Sequence, residues 1–97
     1  MKIPVTVIVI THDRLEHTKT MVEFLFDTMP SAEFIIYDNH STEWEMNEWL
    51  RSLEFVNHKV KVILANDTID WDKAVDYALT HAKTTNILIS NLNRPVV

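Results

Sequence analysis

The stretch Phe34-Ile-Ile-Tyr-Asp-Asn-His-Ser-Thr42 passes directly from an apolar run into a polar turn. A short, continuous apolar run is typical of a strand that is covered on both faces of a sheet, and the polar residues after it mark the strand's end. Three further runs have the same character: Ile3-Pro-Val-Thr-Val-Ile-Val-Ile10, Val60-Lys-Val-Ile-Leu64 and Asn86-Ile-Leu-Ile89. The sequence therefore predicts four strands.

A segment of helical period lies between the first two strands. Asp13 and Glu16 have the spacing of a capping box at its start, and Pro30 marks its end. Its apolar stripe consists of Leu15, Thr18, Val22, Leu25, Phe26 and Met29. These features predict an amphipathic first helix.

Two more helices are predicted after the second and third strands. Ser41 and Thr42 are the expected N-cap of the second helix, which ends near Glu54. Its buried stripe consists of Met46, Trp49, Leu50 and Leu53. The third helix is expected from Trp71 to Ala82, where Ala74, Ala78 and Ala82 leave a slim face that can approach a sheet closely.

Alternation of strand and helix is typical of right-handed crossovers between parallel strands. We expect an α/β fold of Rossmann-like, three-layer α/β/α type, with a four-stranded parallel sheet in the order 3-2-1-4. The chain has 97 residues, of which 46% are hydrophobic, so it has room for one core. We therefore expect a single domain over residues 1–97.

Composition excludes several classes of function. The formal net charge of -5 disfavours binding to nucleic acid and to anionic membrane surfaces. The absence of glycine excludes the Walker A loop and the dinucleotide-binding fingerprint, and the absence of cysteine excludes disulfides and thiolate zinc sites. No apolar run approaches the roughly 20 residues of a membrane-spanning helix. A cytoplasmic location is the expectation that fits these features.

Polar residues follow every predicted strand, and the carboxyl ends of parallel strands meet at one edge of a sheet. The four groups are Thr11-His12-Asp13-Arg14, Asp38-Asn39-His40-Ser41-Thr42, Asn66-Asp67-Thr68 and Ser90-Asn91-Leu92-Asn93. Turns and N-caps account for about half of these residues. Asp38 and Asn39 exceed that requirement, because Ser41 and Thr42 remain to cap the helix. The pattern therefore predicts a ligand site that includes Asp38.

The same residues resemble the nucleotide-sugar-binding half of family 2 glycosyltransferases. Val7-Ile-Val-Ile-Thr-His-Asp-Arg14 resembles the opening strand of that family and its Thr-Tyr-Asn-Arg turn. The stretch from Phe34 to Thr42 is similar to the family's strand ending in Asp-Asn-Gly-Ser-Thr, and Asn66 through Ala82 is similar to its third strand, loop and helix. Ile87-Leu-Ile-Ser-Asn-Leu-Asn93 lies where the family has its Asp-X-Asp motif.

This resemblance implies a truncated GT-A fold that binds a nucleotide or nucleotide sugar, with UDP as the expected nucleotide. Thr11, His12 and Arg14 would border the base, and Asp38 would read it. Lys73 would approach the phosphates. Asn39 and Asn66 would belong to the same nucleotide site, and Asn91 and Asn93 would occupy the metal positions.

Three departures from the family pattern lead us to expect weak binding and little or no glycosyl transfer. Asn91 and Asn93 are neutral amides, which hold Mg²⁺ or Mn²⁺ weakly or not at all. No catalytic base is visible in the short segment from Arg94 to Val97. His40 replaces the family's glycine, and a positive φ there would cost about 1 kcal/mol.

Three other functions remain open at this point. His12, Asp13, Asp38 and His40 could form a Zn²⁺ or Mn²⁺ site. The chain could instead be a non-catalytic interaction module that forms a homodimer, or binds a partner chain, through an exposed sheet edge or through Trp44, Trp49 and Trp71. A response-regulator receiver fits less well, since the first strand is not followed by paired acidic residues.

Overall fold

The computed structural model describes residues 4–90. The elements alternate along the chain in the order β1 (Val5–Thr11), α1 (Leu15–Thr28), β2 (Glu33–Asp38), α2 (Trp44–Val56), β3 (Val60–Leu64), α3 (Trp71–Leu79) and β4 (Asn86–Ser90). All strand pairs are parallel, and the sheet order is β3-β2-β1-β4. The predicted Rossmann-like α/β fold and its strand order are confirmed.

The helices cover the two faces of the sheet unequally. Helices α1 and α2 pack on one face, where Val22, Met46 and Leu50 meet alternate residues of β1 and β2. Helix α3 packs on the opposite face, where Ala74 and Ala78 are fully buried. The slim face predicted for α3 is therefore confirmed, and it brings that helix close to the sheet.

The helix ends differ from the predictions. Helix α1 has no side-chain cap, and its N-cap residue is Arg14, so the predicted capping box of Asp13 and Glu16 is wrong. Ser41 and Thr42 do not cap α2, whose N-cap is Glu43. The reason is that their side chains bond to residues of other segments, as described below.

Two helices also end at other residues than expected. Helix α2 continues to Val56, two residues beyond Glu54. Helix α3 ends at Leu79, three residues before the predicted Ala82, and the chain continues through turns at Thr80 and His81. Ala82 nevertheless packs against the core on the α3 face.

The two edges of the sheet are treated differently. Along β3, the Val60 N–H donates to the Asn57 carbonyl and the Val62 N–H donates to the Glu54 carboxylate. On the other edge strand, β4, Leu88 is 42% exposed and Ile89 is 37% exposed. Within residues 4–90, no helix has the length and hydropathy needed to cross a bilayer.

The tryptophans divide into two groups. Trp49 and Trp71 are partly buried against the cores on the two sheet faces, and Trp44 is 65% exposed at the start of α2. Packing therefore accounts for Trp49 and Trp71, and leaves Trp44 as the one of the three on the surface.

Candidate functional site at the strand ends

A buried carboxylate lies where the strands end. We define the carboxyl rim as residues 11–14, 38–43 and 65–70, which lie at or directly after the ends of β1, β2 and β3. Asp38 is 1% exposed, and its Oδ1 accepts hydrogen bonds from the hydroxyls of Thr11 (2.7 Å) and Ser41 (2.6 Å). Its Oδ2 accepts the Ser41 N–H at 2.8 Å. Such bonds replace the water that a buried carboxylate loses. Asp38 thus joins the end of β1 to the β2–α2 turn, and its contact with a ligand stays a prediction.

Asp13 connects the β1–α1 turn to the start of α2. Its N–H donates to Ser41 Oγ at 2.6 Å, while its Oδ1 accepts the N–H groups of Thr42 (2.8 Å) and Glu43 (3.0 Å). The Thr42 hydroxyl donates to its Oδ2 at 3.1 Å. Burial alone would raise the pKa of Asp13, but these hydrogen bonds and nearby His12 outweigh burial and hold that pKa below its ordinary value of 3.8. The carboxylate therefore supplies, from another loop, the cap that α2 lacks.

Asn39 fixes the third loop of the carboxyl rim. Its side-chain amide donates to the Ile69 carbonyl (2.7 Å) and accepts the Ile69 N–H (2.9 Å). Its backbone carbonyl accepts hydrogen bonds from His12 Nδ1 (2.8 Å) and the Thr68 hydroxyl (3.5 Å). A carbonyl only accepts, so His12 Nδ1 is the donor in this bond. His12 and the β3–α3 loop therefore lie beside each other.

Strained backbone is concentrated at this rim. Within residues 4–90, φ is positive at Asp13 (53°), Arg14 (59°) and His40 (64°), and no glycine is present to adopt these angles without cost. His40 therefore has the left-handed conformation whose cost was considered above. Left-handed conformations cost about 1–2 kcal/mol for non-glycine residues. Such strain persists where surrounding contacts fix the chain, and it is frequent at functional sites.

The predicted ligand residues divide by exposure. Thr11, Asp38 and Asn39 are buried and bonded within the protein, whereas His12, Arg14, Asn66 and Lys73 are exposed. The other two predicted positions, Asn91 and Asn93, lie outside the described residues.

Two cavities flank the buried residues on opposite sides. A cavity of about 280 Å³ lies on the α3 side and is lined by Asn66, Ile69, Tyr37 and Tyr77. The Tyr37 and Tyr77 rings meet edge to face with centroids 5.8 Å apart, and burial, with Tyr77 and Asp38 nearby, raises the pKa of Tyr37. The structure thus places Asn66 in a polar, aromatic-walled cavity.

Arg14 lies elsewhere, at a wider cavity of about 520 Å³ between the starts of α1 and α2. Trp44 and three glutamates, Glu16, Glu43 and Glu45, also line that cavity. The carboxylates give this cavity an acidic lining, which disfavours a phosphate. The structure does not bring Arg14 and Asn66 to one cavity.

The metal site considered above is not assembled. No group of three or more metal-ligating side chains occurs within residues 4–90. The oxygens of Asp38 and Asp13 accept the hydrogen bonds described above, and His40 Nδ1 donates to the Ala65 carbonyl at 3.2 Å. A site formed by His12, Asp13, Asp38 and His40 was therefore a wrong alternative.

Sequence reasoning missed the roles of Asp13 and Ser41. Both were interpreted as caps of their own helices, whereas both link different loops. The only available signal was the surplus of turn residues at the two strand ends, which cannot show which residue contacts which.

Comparisons with known proteins provide no assignment, because no protein-family model and no curated protein matches the chain.

Proposed function

We propose that this chain is a glycosyltransferase-like domain whose carboxyl rim binds the nucleotide part of a nucleotide sugar, with UDP as the nucleotide. The observation that carries the proposal is the hydrogen-bonded unit of Asp13, Asp38 and Asn39, which joins three strand-end loops. Ligands of open parallel sheets bind outside the carboxyl ends of the strands. The resemblance of residues 7–14 and 34–42 to the nucleotide-sugar-binding half of family 2 glycosyltransferases points to the same location.

The base is assigned to the α3 side of the carboxyl rim. The cavity beside Asn66 has aromatic walls and an exposed amide, which can pair with the N–H and carbonyl groups of uracil. His12 is half-exposed and borders the β3–α3 loop through the shared Asn39 carbonyl. Its fixed ring offers a surface on which a pyrimidine packs.

The diphosphate is assigned to Lys73, which is exposed in the first turn of α3. An ammonium group and a helix N-terminus both favour a negative charge. Asp38 acts as a positioning residue in this arrangement, since Thr11 and Ser41 occupy most of its acceptor capacity. With one lysine at the phosphates, we expect a Kd for UDP on the order of 1 mM.

Titration calorimetry with UDP tests the proposal on the full chain. His12→Ala, Asn66→Ala and Lys73→Gln should each weaken binding by about threefold to tenfold, because each removes one contact. Lys19→Gln on α1 is the matched charge control and should leave the affinity unchanged. No heat of binding at 5 mM UDP (about five times the expected Kd) would overturn the proposal, and so would equal losses in Lys73→Gln and Lys19→Gln.

A second candidate function is homodimerisation through β4. The observation that favours it is the contrast between the edges: Glu54 and Asn57 occupy N–H groups of β3, whereas β4 exposes Leu88 and Ile89. Exposed apolar edge strands pair readily with a second copy. Light scattering should show a dimer that Ile89→Lys dissociates and Phe55→Lys, a control on α2, does not. A monomer at the highest soluble concentration would contradict this function.

A further inference from the structure

A cavity with a basic lining lies at the opposite end of the strands. It has a volume of about 450 Å³ and lies at the amino ends of β1, β2 and β3, which we call the amino rim. Its floor includes Thr6 of β1, its register partner Glu33 of β2, and Ile35, two residues farther along β2. The carboxyl rim is at the other end of these strands, so the two sites share no residue.

The cavity exists because α3 is short. Its nine residues extend over about 14 Å, whereas seven residues of β1 extend over about 23 Å. Ala74, Val75 and Ala78 therefore pack on the upper part of the sheet face, against Ile8 and Ile10 among others. The lower part, beginning at Thr6, is left to the α3–β4 connection.

Basic side chains line this uncovered part. Lys61 pairs in register with Ile35 of β2, and the Lys59 carbonyl accepts the Phe34 N–H at 2.8 Å, so both lysines lie beside the cavity floor. Lys83 lies on the other side of the cavity, and His58 and His81 complete the basic lining. Three of the nine lysines and arginines of an acidic chain thus gather at one cavity that has one carboxylate, Glu33.

Neither ion pairing nor helix dipoles explain why three lysines gather at this cavity. Within residues 4–90, no carboxylate lies within 4.0 Å of the ammonium groups of Lys59, Lys61 or Lys83. Helix C-termini attract cations, but α1, α2 and α3 have no basic residue in their last turns. The charges therefore remain available to a ligand.

We infer that the amino-rim cavity binds a small phosphorylated molecule, whose phosphate lies among Lys59, Lys61 and Lys83. Lysine ammonium groups bind phosphate as point charges, and their mutual repulsion falls when a dianion lies between them. Ile35, whose side chain lies on the α3 face of the sheet, gives the cavity an apolar part that accommodates an organic group. This site is independent of the nucleotide site proposed above.

Chemical-shift mapping with inorganic pyrophosphate tests this inference on the isotope-labelled 97-residue chain. We expect the largest amide shifts at Glu33, at Lys59 to Lys61 and at His81 to Lys83. The double variant Lys61→Gln, Lys83→Gln should raise the apparent Kd obtained from these shifts by about tenfold. Lys73→Gln, which removes a positive charge from the first turn of α3, should leave them unchanged.

Three outcomes would overturn the inference. The first is the absence of shifts at 10 mM pyrophosphate, a concentration on the order of a weak charge-assisted Kd, and the second is shifts at the carboxyl rim alone. The third is an equal loss of pyrophosphate affinity in the double variant Lys61→Gln, Lys83→Gln and in the control double variant Lys19→Gln, Lys73→Gln. The last outcome would show that pyrophosphate responds only to net charge. Glucose 6-phosphate should shift the same amides, and shifts from pyrophosphate without any from the sugar phosphate would reject the organic group. Failure of UDP to bind leaves each of these results unaffected.

Discussion

Asp38 is the residue on which the geometry of the carboxyl rim depends most. Its buried oxygens accept three hydrogen bonds from Thr11 and Ser41. Asp38→Asn would turn an amide N–H₂ toward groups that are themselves donors. We expect this substitution to lower the free energy of unfolding by about 2 kcal/mol, because buried donors lose their acceptor.

Urea denaturation measures that loss. Asp27→Asn, an exposed position on α1, is the matched control and should change the free energy of unfolding by less than about 0.5 kcal/mol. Equal stability of the Asp38→Asn variant and the wild type would show that the network is not formed in solution.

Asp13 makes the stability of the fold dependent on pH. Its pKa is lower in the folded chain than the ordinary value of 3.8, so its carboxylate stabilises the fold above about pH 4. That contribution is lost as the pH falls through the folded pKa. Between pH 7 and pH 3, the wild type should therefore lose more stability than Asp13→Asn does. Parallel stability curves for the two proteins would contradict the assignment.

His40 provides a test of backbone strain with two substitutions that both remove the imidazole. At φ 64°, glycine is free of the steric cost that alanine has. His40→Gly should therefore be more stable than His40→Ala by about 1 kcal/mol in thermal unfolding. If alanine is equally stable, the turn has a different conformation.

At the scale of elements, α3 shows what a pattern can predict. The alanines at 74 and 78 predicted close packing, and both are fully buried.

Ala78→Leu should destabilise the fold by about 1–3 kcal/mol, because the helix would be forced away from the sheet. Asp76→Leu on the exposed side of the same helix is the control. A neutral Ala78→Leu variant would mean that α3 packs loosely.

The element boundaries were harder to predict for a physical reason. Asp13, Ser41 and Thr42 are all favourable caps, and local preference assigned each to the helix that follows it. In the structure each bonds to a residue about 28 positions away or to a neighbouring strand end. A local rule contains no information about such partners, so the fold was predictable and the connections of the carboxyl rim were not.

At the scale of the molecule, the strand order followed from the sequence because four β-branched runs separated by helical segments permit few topologies. The amino-rim cavity did not, because its lining combines residues of β1, β2, β3 and the segment between α3 and β4, which only the tertiary structure brings together. The sequence did not indicate that Lys59, Lys61 and Lys83 share one site, because Lys83 is far from the other two along the chain.

The two rims lie at opposite ends of the strands and differ in their chemistry. The carboxyl rim holds an interlocked set of hydrogen bonds, with Lys73 exposed nearby on the first turn of α3, and the amino rim holds three lysines around an open cavity. A ligand that carries both a base and phosphates should therefore bind at the carboxyl rim rather than at the amino rim, because only the carboxyl rim is expected to bind the base.

The most direct test of the central claim, that the strand-end loops form one nucleotide site, is an amide-shift titration of isotope-labelled protein with UDP. Our account predicts saturable shifts with a single Kd at His12, Asn39 and Asn66, which lie in three separate loops, and at Lys73 in α3. Absence of shifts at these amides at 5 mM UDP (about five times the expected Kd), or different Kd values from loop to loop, would contradict it.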